Sequence, residues 1–279
     1  MNEEYLERML KLTSDAGRMA MRYFKDSKPA LKKDNSIVTK ADKMIAQLSH
    51  ESLAGLIKTK DHILIEEEDP NVSQYLNQRD LEKVPFIWSI DPIDGTRNYA
   101  NQMPTFAVSI GLLKDLHPWM GAVYFPVLKE LLYSDGKNAY FVENAFSKDQ
   151  KKEKITPFDQ PITNQSVFFT IDSFYRRFDW DFKDCHIEMQ GCAAVDFCWS
   201  ALGRACGAFF KSSLWDFAGS WPICRVAGLD LRAFASGKLF DRIDINYFDS
   251  EKAPWKLKEY FILSSERNFP ILKSKITVK

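Results

Sequence analysis

The chain has 279 residues, of which 45% are hydrophobic and 14% aromatic, so it can bury a large core as one domain made of two joined halves. Lysine plus arginine and aspartate plus glutamate both number 38, and this balance excludes a general electrostatic attraction to nucleic acid or to an anionic membrane. Any anion that the protein binds must therefore be held by a local group of charges.

The amino-terminal segment and the cysteines predict a cytoplasmic protein. The first residues are acidic and amphipathic and lack the basic and apolar regions of a signal peptide, and no apolar stretch has the length of a membrane span. The cysteines are odd in number and have no zinc-site spacing, so we interpret them as reduced packing residues. They are Cys185, Cys192, Cys198, Cys206 and Cys224.

Two helices and then a sheet are predicted in the first half of the chain. Apolar residues at helical spacing predict a first helix over residues 3–25, which Lys28-Pro29 ends. After a polar turn at residues 32–36, Thr39 to Asp42 has the form of a capping box and predicts a second helix over residues 41–56. Short apolar runs then predict strands at residues 63–65, 86–90, 106–113, 120–125 and 130–133.

Helices and strands alternate in the second half. The charged residues 147–154 predict a loop or a weak boundary. Strands are predicted at residues 166–171, 208–210, 229–234 and 260–264, and helices at residues 192–202 and 216–227. This alternation predicts a layered α/β fold.

Two aspartates at a predicted strand end indicate a site for a hard cation. The apolar run at residues 86–90 leads to Asp91, and Pro92 prevents further pairing on one side, so Asp94 turns back toward the same space. Magnesium favours carboxylate oxygens together with waters and phosphate oxygens. The carbonyl of Ile93 lies between the two carboxylates as a further ligand.

The residues after Asp94 add a candidate phosphate site. Gly95 and Thr96 stand where the chain turns into a short helix, so their N–H groups can point at a phosphate. The same letters also fit an Asp-Pro turn followed by an Asp-Gly turn, because these residues are common in turns. Both interpretations stay open on this stretch alone.

Two further acidic pieces have both a functional and a plain structural interpretation. Residues 66–69 are all acidic and follow a predicted strand, where sheets collect functional groups, but runs of acids are usually solvated surface. Asp216 precedes a predicted helix, where aspartate is a favoured N-cap. One residue can be both cap and ligand.

These pieces together resemble the inositol monophosphatase family over residues 32–231. Residues 91–99 match its signature D-P-[ILV]-D-G-[ST]-x-N-[FY] at every position, and residues 215–219 match W-D-x-A-[GA]. Residues 32–42 match K-x-D-x-S-x-V-T-x-A-D, with a Glu-Glu pair following in the same order. The resemblance implies an αβαβα sandwich of the sugar phosphatase type. Its halves would be residues 1–146, with the metal and phosphate site, and residues 155–279, on the substrate side.

The resemblance also implies the chemistry, which is Mg2+-dependent hydrolysis of a small phosphate monoester by metal-activated water. The implied ligands of two or three Mg2+ ions are Glu67, Asp91, the Ile93 carbonyl, Asp94 and Asp216. Two cations about 4 Å apart can activate water on one side of the phosphate and stabilise the leaving oxygen on the other. The implied catalytic residues are Glu67, Asp94 and Thr96, and the N–H groups of Gly95 and Thr96 would bind the phosphate. Lys32, Asp42 and Glu68 would lie next to these groups and help to hold them in position.

Two departures from the family pattern concern the metal site and the substrate. The family usually has Gly-Glu-Glu after the strand, whereas residues 66–68 are all glutamate here; alignment from His62 makes Glu67 the ligand, although a slip to Glu66 stays open. Where inositol-type members carry a carboxylate for sugar hydroxyls, this chain has Lys211. A cation accepts no hydrogen bond, so Lys211 would meet a second phosphate or carboxylate of the substrate, or lie in solvent.

The segment that carries Gly191, Cys192 and Ala193 matches the family's G-x-A segment, whose backbone approaches the substrate. Inositol monophosphate, fructose 1,6-bisphosphate and 3′-phosphoadenosine 5′-phosphate stay open as substrates. Lithium sensitivity and a homodimer are implied as well, with no nucleic-acid or membrane partner. The alternative from another class is a non-catalytic phosphate-binding regulatory protein, which would lack a metal carboxylate or the Thr96 hydroxyl.

Overall fold

The computed structural model describes residues 2–32, 37–181 and 183–279; most of the predicted turn at residues 32–36 lies outside the described residues. Its α-helices are α1 (Asn2–Tyr23), α2 (Lys40–Ile57), α3 (Gln78–Leu81), α4 (Thr96–Ala100), α5 (Phe174–Arg177), α6 (Ala193–Ala201), α7 (Leu214–Ala218), α8 (Trp221–Val226) and α9 (Asn268–Ser274). Its strands are β1 (Ala30–Leu31), β2 (Ile37–Val38), β3 (His62–Glu66), β4 (Phe86–Asp94), β5 (Ala107–Lys114), β6 (His117–Phe125), β7 (Glu130–Ser134), β8 (Ala139–Glu143), β9 (Lys151–Ile155), β10 (Ser166–Phe169), β11 (Phe178–Trp180), β12 (Cys185–Glu188), β13 (Gly207–Phe210), β14 (Asp230–Ala233), β15 (Phe261–Ser264) and β16 (Ile276–Val278).

Two large sheets organise the described residues. The first has seven strands in the order β3-β4-β5-β6-β7-β8-β9, with β3 and β4 parallel and the other neighbours antiparallel. The second has five strands in the order β12-β10-β13-β15-β14. It is mixed, because β10 pairs in parallel with β12 and β13, whereas β15 pairs antiparallel with β13 and β14. The pairs β1-β2 and β11-β16 form two small antiparallel sheets.

Helices cover both faces of the first sheet and lie between the two sheets. Helices α1 and α2 pack on one face, while α7 and α8 pack on the other. Helix α6 joins α7 and α8 to β13 of the second sheet, and α9 packs on β15. Buried clusters fill each layer boundary: one under α1 and α2, one between the sheets, and one of mainly aromatic residues on the far face of the second sheet. The predicted layered α/β fold is confirmed.

The capping box predicted before the second helix is confirmed. Thr39 caps α2, and the Asp42 carboxylate accepts hydrogen bonds from the N–H and hydroxyl groups of Thr39. The observed helix α2 exceeds the predicted range by one residue at each end. Helix α1 ends at Tyr23 and continues as a 3-10 turn, Phe24–Asp26, before Pro29.

The prediction of a loop over residues 147–154 is wrong in its second part. Residues from Lys151 form β9, the edge strand of the seven-stranded sheet, in which Ile155 alone is buried. Charged side chains on an exposed edge strand prevent pairing with other chains. They also remove the apolar alternation by which a strand is recognised.

The single helix predicted over residues 216–227 is also wrong. The structure has two helices, α7 and α8, which are separated by Gly219 and Ser220. Ser213 is the N-cap of α7, and Asp216 is the third helical residue, whose carboxylate accepts the Ser213 N–H at 2.8 Å. Asp216 therefore completes a capping box and is not the N-cap itself.

All five cysteines are free, and four of them are buried. None of the helices in the described ranges is long and apolar enough to cross a membrane.

His62 lies in an aromatic cluster under α1. Its ring is 5% exposed and stacks on Phe86, with ring centroids 4.8 Å apart. The indole N–H of Trp88 lies 3.3 Å from His62 Nδ1 and can only donate, so the neutral ring carries its proton on Nε2, 3.2 Å from the Tyr5 hydroxyl. Burial lowers the pKa of His62 below its ordinary value of 6.5.

The neutral state of His62 makes a pH-dependent contribution to stability. Because the folded-state pKa lies below the unfolded one, the unfolded state binds more protons, and the free energy of unfolding should fall as the pH drops through about 6.5. His62→Gln keeps a donor and an acceptor without titrating. Urea unfolding at about pH 8 and pH 5 should therefore show wild type losing stability relative to His62→Gln at the lower pH. A difference that does not depend on pH would contradict this prediction.

Candidate active site

The two aspartates of the signature reach one cavity because β4 contains a bulge. Asp91 pairs with Ser109 of β5, and Asp94 pairs with Ala107, so β4 has one extra residue between these pairs. Residues three apart on a regular strand point to opposite faces, and a single inserted residue restores them to the same side. Strand β4 thus continues past Pro92. The bulge, and not an end of pairing at the proline, turns Asp94 toward the same side as Asp91.

Hydrogen bonds hold the bulge in place. The Ile93 N–H donates to Asp91 Oδ1 at 2.9 Å, and the Thr96 hydroxyl donates to the Ile93 carbonyl at 3.0 Å. Thr96 Oγ1 also lies 3.5 Å from Asp42 Oδ1, which joins α2 to the site. Gly95 has φ of +82°, and an added Cβ would lie 3.0 Å from Cys192 Cβ, so glycine is required by both backbone and space.

The carboxylates of the acidic run at the end of β3 lie in two environments, the protein interior and the cavity. Glu66 is 1% exposed, and its Oε1 accepts the Glu68 N–H at 2.9 Å. Glu67 lines the cavity, and the Lys32 ammonium donates to Glu67 Oε1 at 2.9 Å and to Glu68 Oε1 at 2.5 Å. The structure therefore puts Glu67 on the cavity wall, with Lys32 and Glu68 beside it.

Helix α7 brings Asp216 to the cavity by packing its backbone directly on the first sheet. Gly111 and Gly121 face each other on β5 and β6, below the end of α7. An added Cβ on Gly111 would lie 2.5 Å from the backbone of Ala218, and one on Gly121 would lie 2.0 Å from the Gly219 carbonyl oxygen. The small residues of the W-D-F-A-G motif thus permit the approach that positions its aspartate.

These residues line a cavity of about 470 Å³ between the ends of the two sheets. Its walls carry Glu67, Asp94, Gly95, Thr96, Arg97, Asn98, Gly191, Cys192, Ala193, Asp196, Ser212, Asp216 and Lys256, among others. Asp91 lies under this wall and is 2% exposed. Glu67, the pair Asp94 and Thr96, and Asp216 are thus brought together from three separate parts of the chain.

The carboxylates of the site oppose each other's ionisation. Burial, followed by the charges of Glu67, Asp94 and Asp216, raises the pKa of Asp91 well above its ordinary value. Burial, followed by the charges of Asp94 and Glu67, does the same for Asp216. Burial also raises the pKa of Asp42 to about 6 and that of Glu68 to about 7. A group of buried like charges stays ionised when cations are bound among them.

The composition of the site fits divalent cations. Within the described ranges, no three carboxylates, thiols or imidazoles already surround one point as metal ligands would. The site carboxylates are bonded to protein donors in this structure: Glu67 to Lys32, Asp94 to the N–H groups of α6, and Asp216 to Ser213. Several converging carboxylates with few other donors are nonetheless the ligand set of a hard cation such as Mg2+.

The segment from Gly191 to Ala193 approaches Asp94. The N–H groups of Ala193 and Ala194, at the start of α6, donate to the two carboxylate oxygens of Asp94, the first at 3.3 Å. The Asn98 amide donates to the Gln190 carbonyl at 2.8 Å and fixes the segment to α4. Gly191 has φ of +69°, a conformation that glycine adopts without strain.

Lys211 lies beside the catalytic cavity and not on its wall. The residue follows β13 and lines a neighbouring cavity of about 460 Å³, where its ammonium lies 5.3 Å from the Tyr260 ring centre. The cationic residue on the wall of the catalytic cavity in this region is Lys256. Chain direction explains the difference, because the residue after Lys211 in the chain, Ser212, faces the catalytic cavity instead.

Sequence reasoning missed several residues of the wall. Arg97 stands inside the recognised signature, at its variable position. Asp196 lies within the helix predicted over residues 192–202 and has no assigned role in the sequence analysis. It is 7% exposed, its Oδ1 has no partner among the described residues, and burial followed by the charge of Asp94 raises its pKa well above the ordinary value. Its position in the first turn of α6, three residues after Ala193, was the available signal.

Comparison with known proteins identifies the class of this site. The chain is 30% identical over 246 residues to inositol monophosphatase 1 from Solanum lycopersicum, with 86% of this chain and 85% of the relative covered. It is 29% identical over 244 residues to the 3′(2′),5′-bisphosphate nucleotidase CysQ from Salmonella typhimurium, with 85% and 93% covered. The crystal structure of the extragenic suppressor protein SuhB from Bartonella henselae shares the fold, with a TM-score of 0.73, 20% identity and 98% of both chains covered.

The chain is therefore a hydrolase of phosphate monoesters, of the metal-dependent class. More narrowly, it belongs to the inositol monophosphatase family, whose model matches residues 1–264.

Proposed function

We infer that the protein hydrolyses a small phosphate monoester with Mg2+ as its cofactor, within one phosphatase domain. The observation that supports this most directly is that Glu67, Asp94 and Asp216 line one cavity and Asp91 lies buried beside them, with the pKa values of Asp91 and Asp216 raised by burial and by neighbouring carboxylates. Such a group needs cations, and a cavity of about 470 Å³ has room for a phosphorylated polyol or nucleoside beside them.

The chain's own residues would divide the work as follows. Glu67, Asp91 and the Ile93 carbonyl would hold one ion, and Asp91, Asp94 and Asp216 a second, with Glu67 available to a weaker third. When bound, such ions lower the pKa of water and neutralise phosphate oxygens. Lys32 contacts one oxygen of Glu67 and also pairs with Glu68, so it would keep a partner if Glu67 turned toward an ion.

Thr96 and the backbone after it would orient water and phosphate. The Thr96 hydroxyl hydrogen points to the Ile93 carbonyl, which leaves the Thr96 oxygen lone pairs free to accept a hydrogen bond from the attacking water. The N–H groups of Gly95 and Thr96 would bind phosphate oxygens, with Arg97 on the same wall as a further cationic group. No covalent enzyme intermediate is required by this arrangement.

A panel of phosphate monoesters tests the proposal. Inositol 1-phosphate, fructose 1,6-bisphosphate, adenosine 3′,5′-bisphosphate and nucleoside monophosphates should be assayed for phosphate release with Mg2+ and with a chelator. We expect turnover of at least one compound with Mg2+, its loss on chelation, and inhibition by Li+. Absence of turnover across the panel at saturating Mg2+ would favour the non-catalytic, phosphate-binding alternative.

A further inference from the structure

A second cavity lies next to the catalytic one, and the two share part of their walls. Ile171, Asp172 and Lys256 line both cavities. The second has a volume of about 460 Å³, close to that of the first. A ligand bound at the catalytic carboxylates can therefore extend past these shared residues into the second cavity.

The second cavity has an excess of positive charge. Among the described residues, its wall carries the four cationic side chains of Arg177, Lys211, Lys256 and Lys258 and the two carboxylates of Asp172 and Asp249. Asp249 is bonded to its own loop, because its Oδ1 accepts the N–H groups of Glu251 and Lys252 at 2.8 and 3.0 Å. In a chain with no net charge, this grouping is a local basic site.

Among the residues that the structure describes, the cations of this second cavity have no carboxylate partner. Within the described ranges, none of Arg177, Lys211, Lys256 and Lys258 forms an ion pair within 4 Å. Lys211 is partly buried, and this burial, followed by the charges of Arg177 and Lys256, lowers its pKa. A bound anion would relieve the repulsion among the three.

Lys256 connects the basic cavity to the catalytic carboxylates. Its backbone forms an antiparallel bridge with Ser213, the N-cap of α7, and its charge acts on Asp216 to lower the pKa of that carboxyl. The charge of this lysine therefore acts on both Asp216 and Lys211. Asp172, also shared, offers a carboxylate that can accept hydrogen bonds from hydroxyls between two anionic groups.

We propose that Arg177, Lys211 and Lys256 form a subsite for a second anionic group of the substrate, which makes the substrate a phosphate monoester that carries a further phosphate or carboxylate. The inference rests on the proposed function, since the first phosphate must occupy the catalytic cavity. The second anion stays intact in the reaction, so it contributes binding energy in the ground state and transition state alike. Its loss should raise KM more than it lowers kcat.

Matched substrate pairs test the subsite in the full chain with saturating Mg2+. The pairs are fructose 1-phosphate with fructose 1,6-bisphosphate, and adenosine 3′-monophosphate with adenosine 3′,5′-bisphosphate. In wild type, the bisphosphate of at least one pair should have the higher kcat/KM, by about tenfold to a hundredfold. Lys211→Gln and Lys256→Gln should each reduce that ratio about tenfold, mainly through KM. Lys252→Gln, an exposed lysine outside both cavities, is the control and should leave the ratio unchanged.

The outcomes separate the subsite from the activity itself. If monophosphates and bisphosphates are hydrolysed with equal kcat/KM, or if Lys211→Gln and Lys256→Gln leave the ratio at the wild-type value, the subsite is wrong while the phosphatase activity stands. If nothing is hydrolysed, calorimetry of Asp94→Asn with each pair still decides: tighter binding of the bisphosphate that is lost in Lys211→Gln supports the subsite, and equal binding overturns it.

Discussion

Replacing Asp94 by asparagine is expected to lower kcat/KM by about a hundredfold to a thousandfold and to leave the fold intact. Asp94 is 7% exposed and lies among the charges of Glu67, Asp91 and Asp216. Asparagine has the same shape and keeps one oxygen for the N–H groups of α6. It removes the negative charge, and with it the attraction for a cation.

Two measurements together distinguish a loss of cation binding from a loss of folding in Asp94→Asn. Because the substitution removes a carboxylate charge that is costly to bury, as the rise of the Asp94 pKa to about 6 indicates, the thermal midpoint in chelator should equal or exceed that of wild type. Activity should meanwhile require a higher Mg2+ concentration and stay low at saturation. The control is Asp80→Asn, an exposed aspartate paired with Lys83, which should change neither quantity. Near-normal turnover of Asp94→Asn at saturating Mg2+ would remove Asp94 from the catalytic site.

The site carboxylates could be selected from the sequence because each stands at the end of a regular element within a short motif. Asp91 and Asp94 end β4, Glu67 follows β3, and Asp216 lies in the first turn of α7. Hydrophobic patterning shows where such elements end, and ends of neighbouring elements meet at the edge of a sheet. The choice of Glu67 over Glu66 comes from alignment, and in the structure Glu67, unlike Glu66, lies on the cavity wall.

The basic cavity could not be predicted in the same way. Arg177, Lys211 and Lys256 come from the end of α5, from a loop after β13 and from an irregular segment before β15. Exposed lysines and arginines are ordinary, and nothing in their neighbours along the chain distinguishes these three. Their common environment arises only from tertiary packing, in particular from the bridge between Ser213 and Lys256.

The sequence also contains a feature that indicates the close packing of α7 on the sheet, although the apolar pattern that predicts the strands does not include it. Gly111 and Gly121 each interrupt an apolar strand, and a glycine inside a strand often marks a site where another backbone comes close. The two residues are directly opposed in the sheet, and both face residues of the W-D-F-A-G motif. The motif and the two glycines therefore form the two sides of one contact between α7 and the sheet.

Replacing Gly121 by alanine is expected to have the largest effect on stability of any single methyl group added near the site. The new Cβ would lie 2.0 Å from the carbonyl oxygen of Gly219 and 3.0 Å from Cγ of Pro222. Neither neighbour is the end of a flexible side chain, so α7 and α8 must move away from the sheet. Overpacking of this kind costs about 3 kcal/mol of unfolding free energy, the upper end of the usual range.

The Gly121→Ala variant should lose activity as well as stability, because Asp216 moves with α7. Measured well below the lowered thermal midpoint, its kcat/KM should fall more than the folded fraction does, and the Mg2+ requirement should rise. The matched control is Gly55→Ala in α2, where an added Cβ meets nothing within 4 Å and alanine should stabilise the helix by about 0.5–1 kcal/mol. If Gly121→Ala behaved like Gly55→Ala, with no loss of stability and normal turnover, α7 would not lie on the sheet backbone, and the account of how Asp216 reaches Asp94 would have to be abandoned.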